Sequence, residues 1–102
     1  MKLLTKELEQ NFPALYSTEE KKPEEVKVIA KFFCPWSSWT WYATEYDPQT
    51  QIFFGFVRGH FDELGPFSLD ELESIKGPLG WTIERDLYLG EQTLAEVMEK
   101  RL

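Results

Sequence analysis

WSSWTWYATEYDPQTQIFFGFVR, residues 36–58, is the stretch whose reading decides the fold. Two runs rich in β-branched and aromatic residues, WTWYATEY (39–46) and QIFFGFVR (51–58), flank Asp47-Pro48-Gln49-Thr50. Asp and Pro suit the first two positions of a type I turn, so the stretch predicts an antiparallel hairpin with a four-residue loop. Pairing Tyr46 with Gln51 sets Trp41 against Phe56, Ala43 against Phe54 and Trp39 against Arg58. It sets Tyr42 against Gly55 and Thr40 against Val57. One face then carries Trp39, Trp41, Phe54 and Phe56 and seats the helices. The other carries Thr40, Tyr42, Thr44, Phe53 and Val57. A one-residue slip would exchange the faces of a strand. Trp39 is placed to stack on Arg58 as a cation–π pair. Trp36 falls in the connection before the strand and is expected to be the most exposed of the three tryptophans.

Outward from the hairpin, VKVIAKFF (26–33) reads as a strand, with Val26, Val28, Ala30 and Phe32 on one face. Cys34-Pro35 ends it, because proline has no ladder donor. A fourth strand is expected within HFDELGPF (60–67), and a short one near 87–89. Leu4, Leu8 and Phe12 share a helical face, which predicts a helix over 3–11 stopped by Pro13. Ser68 and Glu71 form a capping-box pair ahead of the stripe Leu69/Leu72/Ile75, with Gly77 as a left-handed cap and Pro78 as the stop. Thr93 and Glu96 repeat the pattern ahead of Leu94, Val97, Met98 and Leu102. The expected class is α+β: an antiparallel β-meander of about four strands packed on one face by two or three short helices. Residues 1–25 read as an N-terminal helix and polar linker, and 26–102 as a single α+β domain.

The chain has 102 residues and a formal charge of -7. The charge is uneven. Residues 1–30 sum to -1, residues 31–60 to 0 and residues 61–102 to -6. An acidic field repels phosphates and favours basic partners, so direct nucleic-acid binding is disfavoured. No apolar run reaches the length of a membrane span, and MKLLTKELEQ lacks the apolar core of a signal peptide. Cys34 has no second cysteine to pair with, which suits a reducing cytoplasm.

Candidate chemistry is sparse. His60 and Asp62 alternate onto one side of a strand, a pairing that serves general bases and metal sites. With one histidine and one cysteine the set lacks metal ligands, and no metal or cofactor is expected. Cys34 would become a nucleophile only with His60 beside it. In IERDL (83–87), Arg85 between Glu84 and Asp86 is either a structural ion-pair group or a carboxylate-binding arginine. GPLG (77–80) is a turn with the wrong spacing for a phosphate loop.

KFF (31–33), WTWYATEYD (39–47), FFGFVRGH (53–60), ELGPFSLDELESI (63–75), GPLG (77–80) and IERDLY (83–88) together resemble a family of small bacterial proteins of unknown function carried on plasmids, integrative conjugative elements and prophages. The resemblance covers about residues 29–89, leaving the first 28 residues and the last dozen outside. It implies a bacterial cytoplasmic protein with an accessory role for a mobile element, and it transfers no catalytic residue.

The leading expectation is a non-enzymatic, acidic protein-binding module, whose partner is a basic protein or a nucleic-acid-processing factor. Its candidate surface comprises Trp36, Thr40, Tyr42, Thr44, His60, Asp62 and Arg85. Two alternatives stand beside it: a small enzyme with a His60/Asp62/Arg85 cleft, and a single-strand nucleic-acid binder using sheet aromatics.

Overall fold

The computed structural model describes residues 2–99. Its centre is a five-stranded antiparallel sheet of β1 (Ala30–Phe33), β2 (Thr40–Asp47), β3 (Ile52–Arg58), β4 (Asp62–Ser68) and β5 (Glu84–Arg85), in the order β4-β3-β2-β1-β5. Three short helices accompany it: α1 (Lys6–Glu9), α2 (Leu69–Ser74) and α3 (Leu94–Glu99). The expected α+β meander is present. The fifth strand lies at 84–85, where it pairs with Phe32 and Phe33, and not at 87–89.

The hairpin register differs from expectation in two steps. Asp47 builds the turn: its carboxylate accepts the Gln49 N–H (3.1 Å) and the Thr50 hydroxyl (2.8 Å), and its carbonyl accepts the Gln51 N–H (2.8 Å). Gln51 takes a left-handed conformation (φ 58), so the first pair is Asp47 with Ile52. A bulge at Thr44 then adds one residue to β2. Beyond it Ala43 faces Gly55, Trp41 faces Val57, Tyr42 faces Phe56 and Thr40 faces Arg58. The two faces of β3 are thereby exchanged relative to β2. Gly55 makes room for the Tyr42 carbonyl, since a Cβ there would fall on that oxygen. Arg58 lies over Phe56, 5.0 Å from the ring centroid, in place of the expected stack on Trp39.

The sheet is covered on both faces. Ala30, Phe32, Trp41, Ala43, Tyr46, Phe53, Val57 and Phe67 form the larger core with Leu3, Leu4, Leu69, Leu72 and Ile83. Leu94 and Val97 of α3 pack on the other face against Val26, Val28 and Phe56. Helical stripes that share one period thus reach opposite faces. Val26 and Val28 do not share a face with Ala30 and Phe32. Residues 26–28 pair with the segment before α3, through Val28 N–H to Gln92 O (2.9 Å) and Leu94 N–H to Val26 O (2.7 Å), while 30–33 pair with β2 and β5.

Helix α1 is one turn, shorter than the expected 3–11. The Thr5 hydroxyl accepts the Leu8 N–H (3.1 Å) and sets the start, leaving Leu3 and Leu4 buried in irregular chain ahead of the cap. Leu8 and Phe12 still reach the core. Ser68 caps α2 by accepting the Glu71 N–H (3.0 Å). The helix ends at Ser74, and Gly77 is extended (φ -112); the left-handed residues are Leu79 (φ 56) and Gly80 (φ 76). Thr93 and Glu96 close a full capping box at α3, with Glu96 N–H to the Thr93 hydroxyl (3.2 Å) and Thr93 N–H to the Glu96 carboxylate (2.9 Å). Leu102, expected on the α3 stripe, lies outside the described residues.

Candidate binding site

The 34–39 connection between β1 and β2 gathers the tryptophans at one end of the sheet. Cys34 N–H donates to Trp39 O (3.0 Å) and Ser37 N–H to Cys34 O (3.2 Å), which folds the chain into a tight loop. Trp36 and Trp39 leave this loop half-buried, and Trp41 follows on the core face of β2. Glu71 and Ile75 approach from the α2 segment at i,i+4 spacing, on one helical side. Between them is a cavity of about 400 Å³ lined by Cys34, Trp36, Trp39, Trp41, Glu71 and Ile75. Its mouth reaches solvent, since Ser37 and Glu71 are exposed.

Two glycines set the indoles. A Cβ on Gly77 would collide with the Trp36 ring, and one on Gly59 with the Trp39 ring. Trp39 and Trp41 stand 5.7 Å apart with their planes inclined at 32°. His60 meets Trp39 edge-on at 5.4 Å. Trp36 and Trp39 are both half-buried, and Gly77 lets Trp36 settle against the turn after α2.

The other expected surface residues are dispersed. Tyr42 is half-buried beside Phe56 (6.4 Å), with the Lys31 ammonium 5.7 Å from its ring. Thr40 is half-buried opposite Arg58, and its hydroxyl donates to Ser38 O (3.3 Å). Thr44 is only 1% exposed, and its hydroxyl donates to Phe54 O (3.1 Å) at the bulge. Thr40, Tyr42 and Thr44 therefore do not make one open face. His60 sits in the turn before β4, outside a strand, and Asp62 bonds Arg58 (2.8 Å). Arg85 lies on β5, at the opposite sheet edge from β4. Four strand spacings separate those edges, about 19 Å. The Arg85 guanidinium donates to the carbonyls of Leu3 (2.8 Å) and Lys2 (3.2 Å), tying the N-terminal chain to the sheet. His60, Asp62 and Arg85 thus form no common cleft. Among the described residues no group of three or more His, Cys, Asp or Glu is arranged to hold a metal.

One buried carboxylate escaped the sequence reading. Glu45 is 2% exposed and accepts the N–H groups of Tyr16 (2.5 Å) and Thr18 (3.0 Å) and the Thr18 hydroxyl. Strand alternation sets Glu45 on the side of Trp41 and Ala43, and the bulge at Thr44 turns it to the opposite side, where it pairs with Phe54. The cavity was also missed. Its one legible sign was the i,i+4 pair of Glu71 and Ile75 behind the Ser68 cap.

A family model for proteins of unknown function, DUF2958, matches residues 3–100. The chain belongs to this family. The match takes in the N-terminal segment and the α3 region, both of which lay outside the 29–89 resemblance, so α1, the Glu45-bound segment and α3 belong to the family's extent. No curated protein and no solved structure matches the chain. Among the described residues no helix is long and apolar enough to cross a membrane.

Proposed function

We propose that this DUF2958 member is a non-enzymatic binding module for a basic protein, serving a bacterial mobile element as an accessory factor in the cytoplasm. The observation that carries the reading is a set of exposed apolar side chains on the two segments that seat Trp36 and Trp39. Phe61, next to the His60 that packs on Trp39, is 83% exposed. Leu79 and Trp81, in the turn beyond the Gly77 that carries Trp36, are 93% and 47% exposed. Large apolar groups left in water near a cavity mark recognition surfaces, with aromatic residues the usual anchors. Helix α2 beside them reads LDELES, with three carboxylates and no basic residue. Apolar anchors in an acidic surround match a basic partner.

The test is affinity capture from a native bacterial lysate at low salt, comparing the wild type with Leu79→Ser/Trp81→Ser. Basic proteins retained by the wild type, released by salt and lost in the double variant support the reading. No retained protein, or equal retention by both forms, overturns it. Tryptophan quenching by a single-stranded oligonucleotide would favour the nucleic-acid alternative instead.

A further inference from the structure

From the composition of the cavity wall we infer that the tryptophan cavity receives an arginine side chain of the partner. The inference rests on the binding-module reading and names its anchor. A guanidinium is flat, permanently charged and weakly hydrated, so it stacks on indole faces where an ammonium prefers water. Here three indoles line one open space of about 400 Å³, which accommodates a full side chain and not only its head. The apolar wall of Cys34 and Ile75 suits the methylene stem.

The charge in the wall selects a cation. Glu71 is the one ionisable carboxylate lining the space, and among the described residues it is in no ion pair. An Asp or Glu facing tryptophans offers a guanidinium both a paired hydrogen-bond acceptor and a counter-charge. Asp70 and Glu73 on the same helix add to the negative field. Lys76, which follows Ile75, is exposed, and its backbone bridges to Thr82. His60 contacts Trp39 by its edge at 5.4 Å and does not line the cavity. A neutral apolar ligand would leave the carboxylate unused, and an anion would meet it head on.

The experiment follows the tryptophan indole N–H signals by ¹H–¹⁵N NMR during titration with N-acetyl-arginine amide. The uncharged near-isostere N-acetyl-citrulline amide is the control, and Glu71→Gln is the variant, which removes the charge at nearly constant shape and leaves the backbone N–H of residue 71 on the Ser68 cap. Saturable shifts at Trp36, Trp39 and Trp41 with millimolar half-saturation are expected, with citrulline binding at least about tenfold weaker. Glu71→Gln should weaken arginine binding by about three- to fivefold. No saturable shift, or equal affinity for the two compounds, overturns the inference. A nona-arginine peptide separates the two levels. Shifts at Phe61, Leu79 and α2 that spare the three indoles sink the arginine pocket while leaving the binding module standing. Silence toward the peptide together with an empty lysate capture sinks both.

Discussion

The Glu45 carboxylate accepts the Thr18 N–H at 3.0 Å across 27 residues of chain. With the Tyr16 N–H (2.5 Å) and the Thr18 hydroxyl on the same group, it fastens the segment before the 3-10 turn Pro23–Glu25 onto the bulged end of β2. Tyr16 holds a left-handed conformation (φ 64) to present its N–H, and its ring meets Phe54 edge-on at 5.9 Å. Removing the carboxylate leaves these partly buried donors unpaired, which costs about 1–3 kcal/mol. Glu45→Ala should lose that much stability, and hydrogen exchange at Tyr16 and Thr18 should become fast. Slow exchange there in the variant would refute the clamp.

The tryptophan seats make a steric prediction. Gly59→Ala and Gly77→Ala each drive a methyl into an indole, and overpacking of this kind costs about 1–3 kcal/mol. Both should shift tryptophan emission toward the red. Gly65→Ala, where a Cβ meets nothing within 4 Å, is the control and should stay within about 0.5 kcal/mol of the wild type.

Arg58 joins three elements. It donates to Asp62 on β4 (2.8 Å) and to the Val97 carbonyl on α3 (2.5 Å), and it lies 5.0 Å from the Phe56 ring. Arg58→Ala should cost about 2–3 kcal/mol and loosen α3, because a charged donor to a helix carbonyl is lost with the ring contact. Asp62→Asn removes only the exposed half of the network and should cost less than about 1 kcal/mol. Urea unfolding of the two variants checks the ranking.

Stability should also fall in alkali through Tyr46. Burial raises its phenol above the usual 10.0, and the carboxylates of Glu9, Asp47 and Glu73 push in the same direction. The folded state then keeps a proton that the unfolded chain releases. Its contribution is complete below the unfolded value and is lost as pH rises through the folded one. Tyr46→Phe has no such proton, so its stability relative to the wild type should rise above about pH 10. A constant difference across that range would count against the shift.

Local signals survived folding wherever one segment sets its own geometry. Ser68 and Thr93 each cap a helix, because a hydroxyl three residues before an N–H needs no distant partner. The hairpin was legible in Asp47-Pro48 and in the flanking aromatic runs for the same reason. Its register was not, because a left-handed Gln51 and an extra residue at Thr44 bring Trp41 onto the same core face as Phe53, a matter of packing between strands.

The sequence by itself determined the class of the fold, the starts of α2 and α3, the hairpin and the acidic C-terminal bias. Each is a property of neighbouring residues or of composition. Only the tertiary structure decided which face each helix covers, that Glu45 is buried, and that three tryptophans and Glu71 line one open cavity. These depend on contacts between residues far apart in the chain, and a single added residue in β2 is enough to redirect them.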